Sequence, residues 1–227
     1  MKAKSILILS FFIIAFSAPF VQADTIVSVG LGEPGAPTIG GIANQYLLMS
    51  WTLPQAYTNV EISAYVYTVD SNYTNATAYL TTAVGPGSDP STLIASSALT
   101  LPYMTSYPSP ELTLFSGLNL NAGTYYLILA APSEGGNVRG WLNGDSITTA
   151  PGVTVIEKAL IANWGWSNTS YPPASNFSGV YGGPLAFDIT ATAVPEPATL
   201  ILLGSGLLGL LALKKKLIYQ LKNRKKS

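Results

Sequence analysis

The chain has 227 residues, with 11 cationic and 11 anionic side chains and no histidine or cysteine. Imidazole acid–base chemistry, thiol nucleophiles, thiolate metal sites and disulfides are therefore excluded. The balanced charge hides a segregation: between residues 24 and 193 only Arg139 and Lys158 stand against ten carboxylates, a formal charge of −8. Such a segment has no basic footprint for phosphates, so no nucleic-acid partner is expected.

Residues 1–23 read as a secretory signal peptide. Lys2 and Lys4 precede an 11-residue apolar run from Ile6 to Phe16 that holds a single serine, Ser10; Pro19 ends the run, and Val21-Gln22-Ala23 offers a small-residue cleavage pattern. Cleavage is expected between Ala23 and Asp24. The alternative, an uncleaved anchor helix, suffers from a run too short for a comfortable span.

From Asp24 to Ala193 the apolar period is two. Val60, Ile62, Ala64 and Val66 alternate with Glu61, Ser63, Tyr65 and Tyr67; Leu185, Phe187 and Ile189 alternate with Ala186, Asp188 and Thr190. The continuous apolar run Tyr125 to Ala130 suits a central strand. Further strands are expected at 25–29, 46–53, 77–84, 92–95, 111–115, 138–142, 153–156 and 160–164. Gly/Pro-rich turns separate them at 32–37, 85–87, 133–137 and 182–184. Residues 101–110 are expected to cross between sheets, and 163–184 form the longest aromatic, Gly/Pro/Ser/Asn-rich loop. Many short strands with such turns predict one all-β domain, an antiparallel β-sandwich of jelly-roll-like type.

Chemistry is sparse here. Glu61 and Asp188 face outward, and nothing selects one pair from the ten acids for glycosidase-like catalysis. Lys158 has no Ser-x-x-Lys companion. Asp70-Ser71-Asn72 and Asn143-Gly144-Asp145 put oxygens in turns, but neither stretch alone supplies the six to eight that calcium needs. No catalytic residue, metal ligand or cofactor is expected. Trp141, Trp164, Trp166 and Tyr171 are candidate stacking faces for a polysaccharide, set against the commoner role of such rings in cores and at sheet edges. Asn72, Asn75, Asn168 and Asn176 begin glycosylation-type sequons.

Residues 194–227 carry the strongest signal. Val194-Pro195-Glu196-Pro197 leads into an uncharged, leucine-rich run from Ala198 to Leu213, closed by Lys214, Lys215 and Lys216. A helix over this run would be roughly 24 Å long, slightly under a hydrocarbon core of ~30 Å. Lysine snorkelling covers the difference. The basic block acts as a stop-transfer signal and sets this end in the cytoplasm, which places 24–193 outside, in agreement with the signal peptide. Pro195 and Pro197 disfavour helix at Val194 and Glu196, so this stretch is expected to be extended and accessible. Ser205 and Gly209 have a small-xxx-small spacing that suits helix pairing.

This combination resembles the PEP-CTERM sorting signal of bacterial exported proteins. The resemblance implies that Pro195, Glu196 and Pro197 form the recognition element of an exosortase. It further implies that the enzyme cuts nearby and delivers the protein to the cell surface or an extracellular polysaccharide matrix. Leu217 to Ser227 depart from the family's usual ending just after the basic cluster. Gly123-Thr124-Tyr125 followed by the Gly135 to Trp141 segment resembles the exported β-sandwich domains that accompany such anchors. The expectation is a non-enzymatic surface or matrix protein; the alternative is a polysaccharide-binding module.

Overall fold

A computed structural model describes residues 23–33, 38–39, 45–132, 138–162 and 171–194, and in the C-terminal segment 204, 206–211, 213 and 214. Fifteen strands lie among them. In chain order they are β1 (Asp24–Leu31), β2 (Thr38–Ile39), β3 (Leu47–Leu53), β4 (Tyr57–Ala64), β5 (Val66–Thr68), β6 (Asn75–Thr81), β7 (Leu93–Thr100), β8 (Leu112–Leu120), β9 (Gly123–Ala130), β10 (Arg139–Trp141), β11 (Gly144–Thr149), β12 (Thr154–Val155), β13 (Leu160–Ile161), β14 (Gly179–Val180) and β15 (Phe187–Ala193).

They form two large open sheets and a small one. One has the order β11-β1-β15-β4-β8. The second runs β14-β13-β3-β9-β6-β7, with β12 also paired to β3. A short ladder β2-β10-β5 completes the set. The pairing is mostly antiparallel, so the β-rich antiparallel expectation holds. Five, seven and three strands are not the eight-stranded double Greek key of a jelly roll, and that finer expectation does not carry over.

The inner faces of the two large sheets share one core. Val27 and Val29 of β1, Ile62 of β4 and Phe187 and Ile189 of β15 meet Leu47, Met49, Trp51 and Leu53 of β3 and Leu127 and Leu129 of β9. Phe187 sits at the crossing point: its ring centroid is 5.7 Å from that of Trp51 and 6.4 Å, edge-on, from that of Trp141. The Tyr125 to Ala130 run is central, as expected, because it is buried on both sides. Leu127 and Leu129 point into the shared core, whereas Ile128 and Ala130 join Tyr46, Leu48 and Ala162 in a second cluster on the opposite face. Phe177 packs onto that cluster, and Gly85 N–H donates to Pro173 O across 2.9 Å.

Residues 101–111 do cross from β7, at the end of one large sheet, to β8, at the end of the other. Several expected boundaries move. The strand expected at 92–95 runs on through Ser96 and Ser97 to Thr100, and that expected at 111–115 runs to Leu120 across Gly117. Gly117 adopts φ 68°, open to glycine, where β4 and β8 lose register between Val60 and Ile62. Of Asn143-Gly144-Asp145, expected as a turn, Asn143 forms an isolated bridge to Leu185 while Gly144 and Asp145 open strand β11, because pairing with β1 overrides the turn preference of these residues. The strand expected at 160–164 is described only as Leu160–Ile161; Asn163 and Trp164 lie outside the described residues.

By contact density the chain divides at Thr192/Ala193. In the C-terminal unit, residues 204, 206–211, 213 and 214 are helical, and Leu208, Leu210, Leu211 and Leu213 are exposed. No helix among the described residues is long and apolar enough to cross a membrane. The span expected at 198–213 includes residues 198–203, 205 and 212, which lie outside the described set.

Candidate functional site

Two sequence-predicted processing sites flank the β domain. Ala23 is exposed and precedes the first residue of β1. Asp24 pairs with Ala191 near the end of the antiparallel β15. The start of β1 and the end of β15, neighbouring strands inside one sheet, thus lie side by side. Val194 is exposed immediately after β15. Pro195, Glu196 and Pro197 lie outside the described residues, as do Lys215 and Lys216; Lys214 is helical and exposed.

The aromatic candidates separate. Trp141 is wholly buried on β10; its indole N–H donates to Ala186 O at 2.8 Å and its ring meets Phe187. It offers no face to a surface ligand, which corrects its candidacy as a glycan contact. The ring fills the core because β10 lies between β2 and β5, buried along its whole length. Tyr171 is half-buried and meets Tyr79 edge-on with centroids 6.5 Å apart. Trp164 and Trp166 lie outside the described residues.

The structure selects carboxylates that sequence reasoning could not. Glu61 of β4, Asp188 of β15 and Glu111 just before β8 line one open cleft of about 340 Å³, together with Ser63, Thr113 and Thr190. The alternation that buries Ile62 and Ile189 turns these polar neighbours outward. Ser63 Oγ donates to Glu111, and Thr113 Oγ1 lies 3.5 Å from Glu61 Oε1. The Tyr65 phenol nearby is pushed above its ordinary 10.0, first by burial and then by the charges of Glu111 and Asp188. This face is a hydrogen-bonding surface of negative potential.

A second cleft, of about 450 Å³, is lined by Glu33, Asn143, Asp145 and Tyr181 over a floor of glycines. Gly144 belongs to that floor: an added Cβ would run into Val29 and come within 3.2 Å of Gly30 O. Asn143 Oδ1 is buried without a hydrogen-bond partner among the described residues. Among those residues no group of three or more His, Cys, Asp or Glu could hold a metal. In the Asp70-Ser71-Asn72 turn, Asp70 Oδ1 accepts from both the backbone and the side-chain nitrogen of Asn72, at 2.9 and 3.0 Å. Those oxygens close the turn on itself.

One buried polar group was missed altogether. Arg139 is 1% exposed, and its guanidinium donates to Tyr73 O (3.1 Å), Pro132 O (3.1 Å) and Asn75 Oδ1 (3.0 Å) while lying over the Tyr73 ring. The available signal was its place inside the apolar segment Val138 to Leu142.

Comparison with protein families matches residues 193–216 to the PEP-CTERM protein-sorting motif. The match ends at Lys216, so the additional tail 217–227 falls beyond it. No curated protein matches the chain.

Proposed function

We propose that the chain is an exported protein whose C-terminal segment holds it in the cytoplasmic membrane until an exosortase acts near Pro195-Glu196-Pro197. The observation that carries this reading is the PEP-CTERM sorting motif at residues 193–216. Residues 198–213 form a transmembrane helix, Lys214 to Lys216 stop translocation, and residues 217–227 lie on the anionic inner leaflet, drawn by four basic side chains. Signal peptidase cuts after Ala23. After release the acidic β-sandwich acts without catalysis as a component of the cell surface or matrix.

The adjacency of Asp24 and Ala191 suits this sequence of events. A domain whose two ends emerge together can fold while tethered at either one. Fractionation tests the proposal. In a host with an active exosortase, wild-type protein should leave the membrane fraction, whereas the triple substitution Pro195→Ala, Glu196→Ala, Pro197→Ala should stay there. Release of both to the same extent would remove the motif from the mechanism.

A second reading, polysaccharide binding, is supported by the two open clefts. Carboxylates, hydroxyls and exposed backbone suit the hydrogen-bonding demand of neutral sugars, and the −8 charge of the domain disfavours anionic ones. Tyr171 remains in this reading, with Trp164 and Trp166; Trp141 does not.

A further inference from the structure

The cleft of about 450 Å³ beside β11 is built on a β-bulge. Val29 pairs with Ile147 and Leu31 with Gly144, so Gly30 stands opposite two residues, Asp145 and Ser146. A bulge of this kind re-aims a side chain, and here that side chain is Asp145. It lies across bare backbone: a Cβ on Gly30 would come within 3.4 Å of Asp145 Oδ1, and one on Gly32 within 3.3 Å of Asp145 Cβ. Hydrogen bonds fix the walls. Gly32 N–H donates to Asn143 O (2.9 Å), Gly144 N–H to Pro184 O (2.9 Å), Ala159 N–H to Gly183 O (2.9 Å) and Tyr181 N–H to Ala159 O (2.8 Å). The cleft is formed before any ligand arrives, which lowers the cost of binding.

The polar side chains of the cleft are mainly acceptors. The carboxylates of Glu33 and Asp145 are exposed, and Asn143 Oδ1 is buried with no partner among the described residues. A buried acceptor costs free energy until a donor reaches it. Among the described residues no group of three or more His, Cys, Asp or Glu could hold a metal, so these acceptors suit hydroxyl donors. Two rings border them. Tyr181 lines the cleft and is half-buried. Tyr107, 38% exposed, is pinned at the rim because its hydroxyl donates to Gly32 O. A pyranose fits both demands at once: its hydroxyls donate, and its C–H face lies on a ring. The other cleft meets neither demand. Ser63 Oγ already donates to Glu111 there, and no aromatic ring is among its lining residues.

We propose that the cleft formed by Glu33, Asn143, Asp145 and Tyr181 binds pyranose units of a neutral polysaccharide. Tyr181 supplies the stacking face, Asn143 and Asp145 accept from sugar hydroxyls, and Tyr107 extends the surface at the rim. The inference rests on the polysaccharide reading given above and assigns it a site. With two carboxylates and no cation among its described lining residues, the cleft repels uronate chains.

Calorimetric titration of the full chain in a zwitterionic detergent without sugar head groups provides the test. The probes are cellohexaose, laminarihexaose, mannohexaose and xylohexaose, with hexagalacturonate as the charged control. Wild type should bind at least one neutral hexamer and should not bind hexagalacturonate. Tyr181→Ala and Asp145→Ala should each weaken that binding by at least about tenfold. Tyr181→Phe should retain it, because the ring makes the stacking contact. Tyr103→Ala, which removes a 54% exposed ring outside the cleft, should bind like wild type. Far-UV circular dichroism should be the same for all of them, and Asp145 is exposed, so its loss leaves the core intact. A wild type that binds no neutral hexamer would overturn both the site and the polysaccharide reading. A wild type that binds one, with Tyr181→Ala and Asp145→Ala binding equally well, would overturn the site and leave the reading standing. Hexagalacturonate bound as tightly as the neutral chains would also overturn the site.

Discussion

Arg139→Met tests whether the one arginine of the β domain acts as an internal clamp. Methionine keeps much of the aliphatic volume but removes donors from Tyr73 O, Pro132 O and Asn75 Oδ1. Each buried acceptor left without a donor costs about 1–3 kcal/mol. Pro132 and Asn75 are exposed residues whose oxygens water can reach after the change, so Tyr73 O dominates. The expected loss is about 2–4 kcal/mol. For a domain of this size that is a fall in Tm of roughly 5–15 °C. Urea unfolding of residues 24–193, followed by the fluorescence of the adjacent Trp141, measures it. Arg139→Lys should recover only a part, because an ammonium cannot reproduce the planar fork. A loss below about 0.5 kcal/mol, within the range of ordinary surface substitutions, would refute the clamp.

Other outcomes follow from the same packing. Trp141→Leu should cost about 3–4 kcal/mol, mainly from the space left beside Phe187, because Tyr65 N–H still reaches Ala186 O at 3.3 Å; chemical denaturation checks it. Gly140→Ala should destabilise by about 1–2 kcal/mol, since the new Cβ would lie 2.6 Å from Tyr67 ring atoms, and Tyr67→Ser should relieve much of this in a double-mutant cycle. Burial holds the phenols of Tyr65, Tyr67, Tyr79 and Tyr125 above their ordinary 10.0. The stability tied to their neutral forms is fully present below pH 10 and is lost as pH rises through the raised folded values, so Tm should fall steeply above pH 10. A flat Tm between pH 9 and 11.5 would contradict this.

The sequence made the β class legible because alternation is a local property: Val60 to Val66 and Leu185 to Thr190 carry it within a few residues. The centrality of Tyr125 to Ala130 was legible for the same reason, since a strand buried on both faces has no polar side. What escaped was non-local. Asn143-Gly144-Asp145 has turn chemistry, and only pairing with β1 draws Gly144 onward into a strand. The convergence of Glu61, Glu111 and Asp188 depends on β4, β8 and β15 lying side by side, which no spacing encodes. Trp141 lies in the expected strand 138–142, but so short a strand does not say which of its faces enters the core; that follows only from the pairing of β10 with β2 and β5. The sorting region was the reverse case. Its message lies in contiguous residues, so Pro195 to Lys216 could be read directly.

The most direct test of the account places an epitope tag after Ser227 and compares hosts with and without an exosortase. With the enzyme, the mature chain should begin at Asp24, lose the tag and end near Pro195-Glu196-Pro197, as read by intact mass; without it, the tag should remain attached in the membrane fraction. A tag retained on mature protein in the exosortase-positive host would contradict the account.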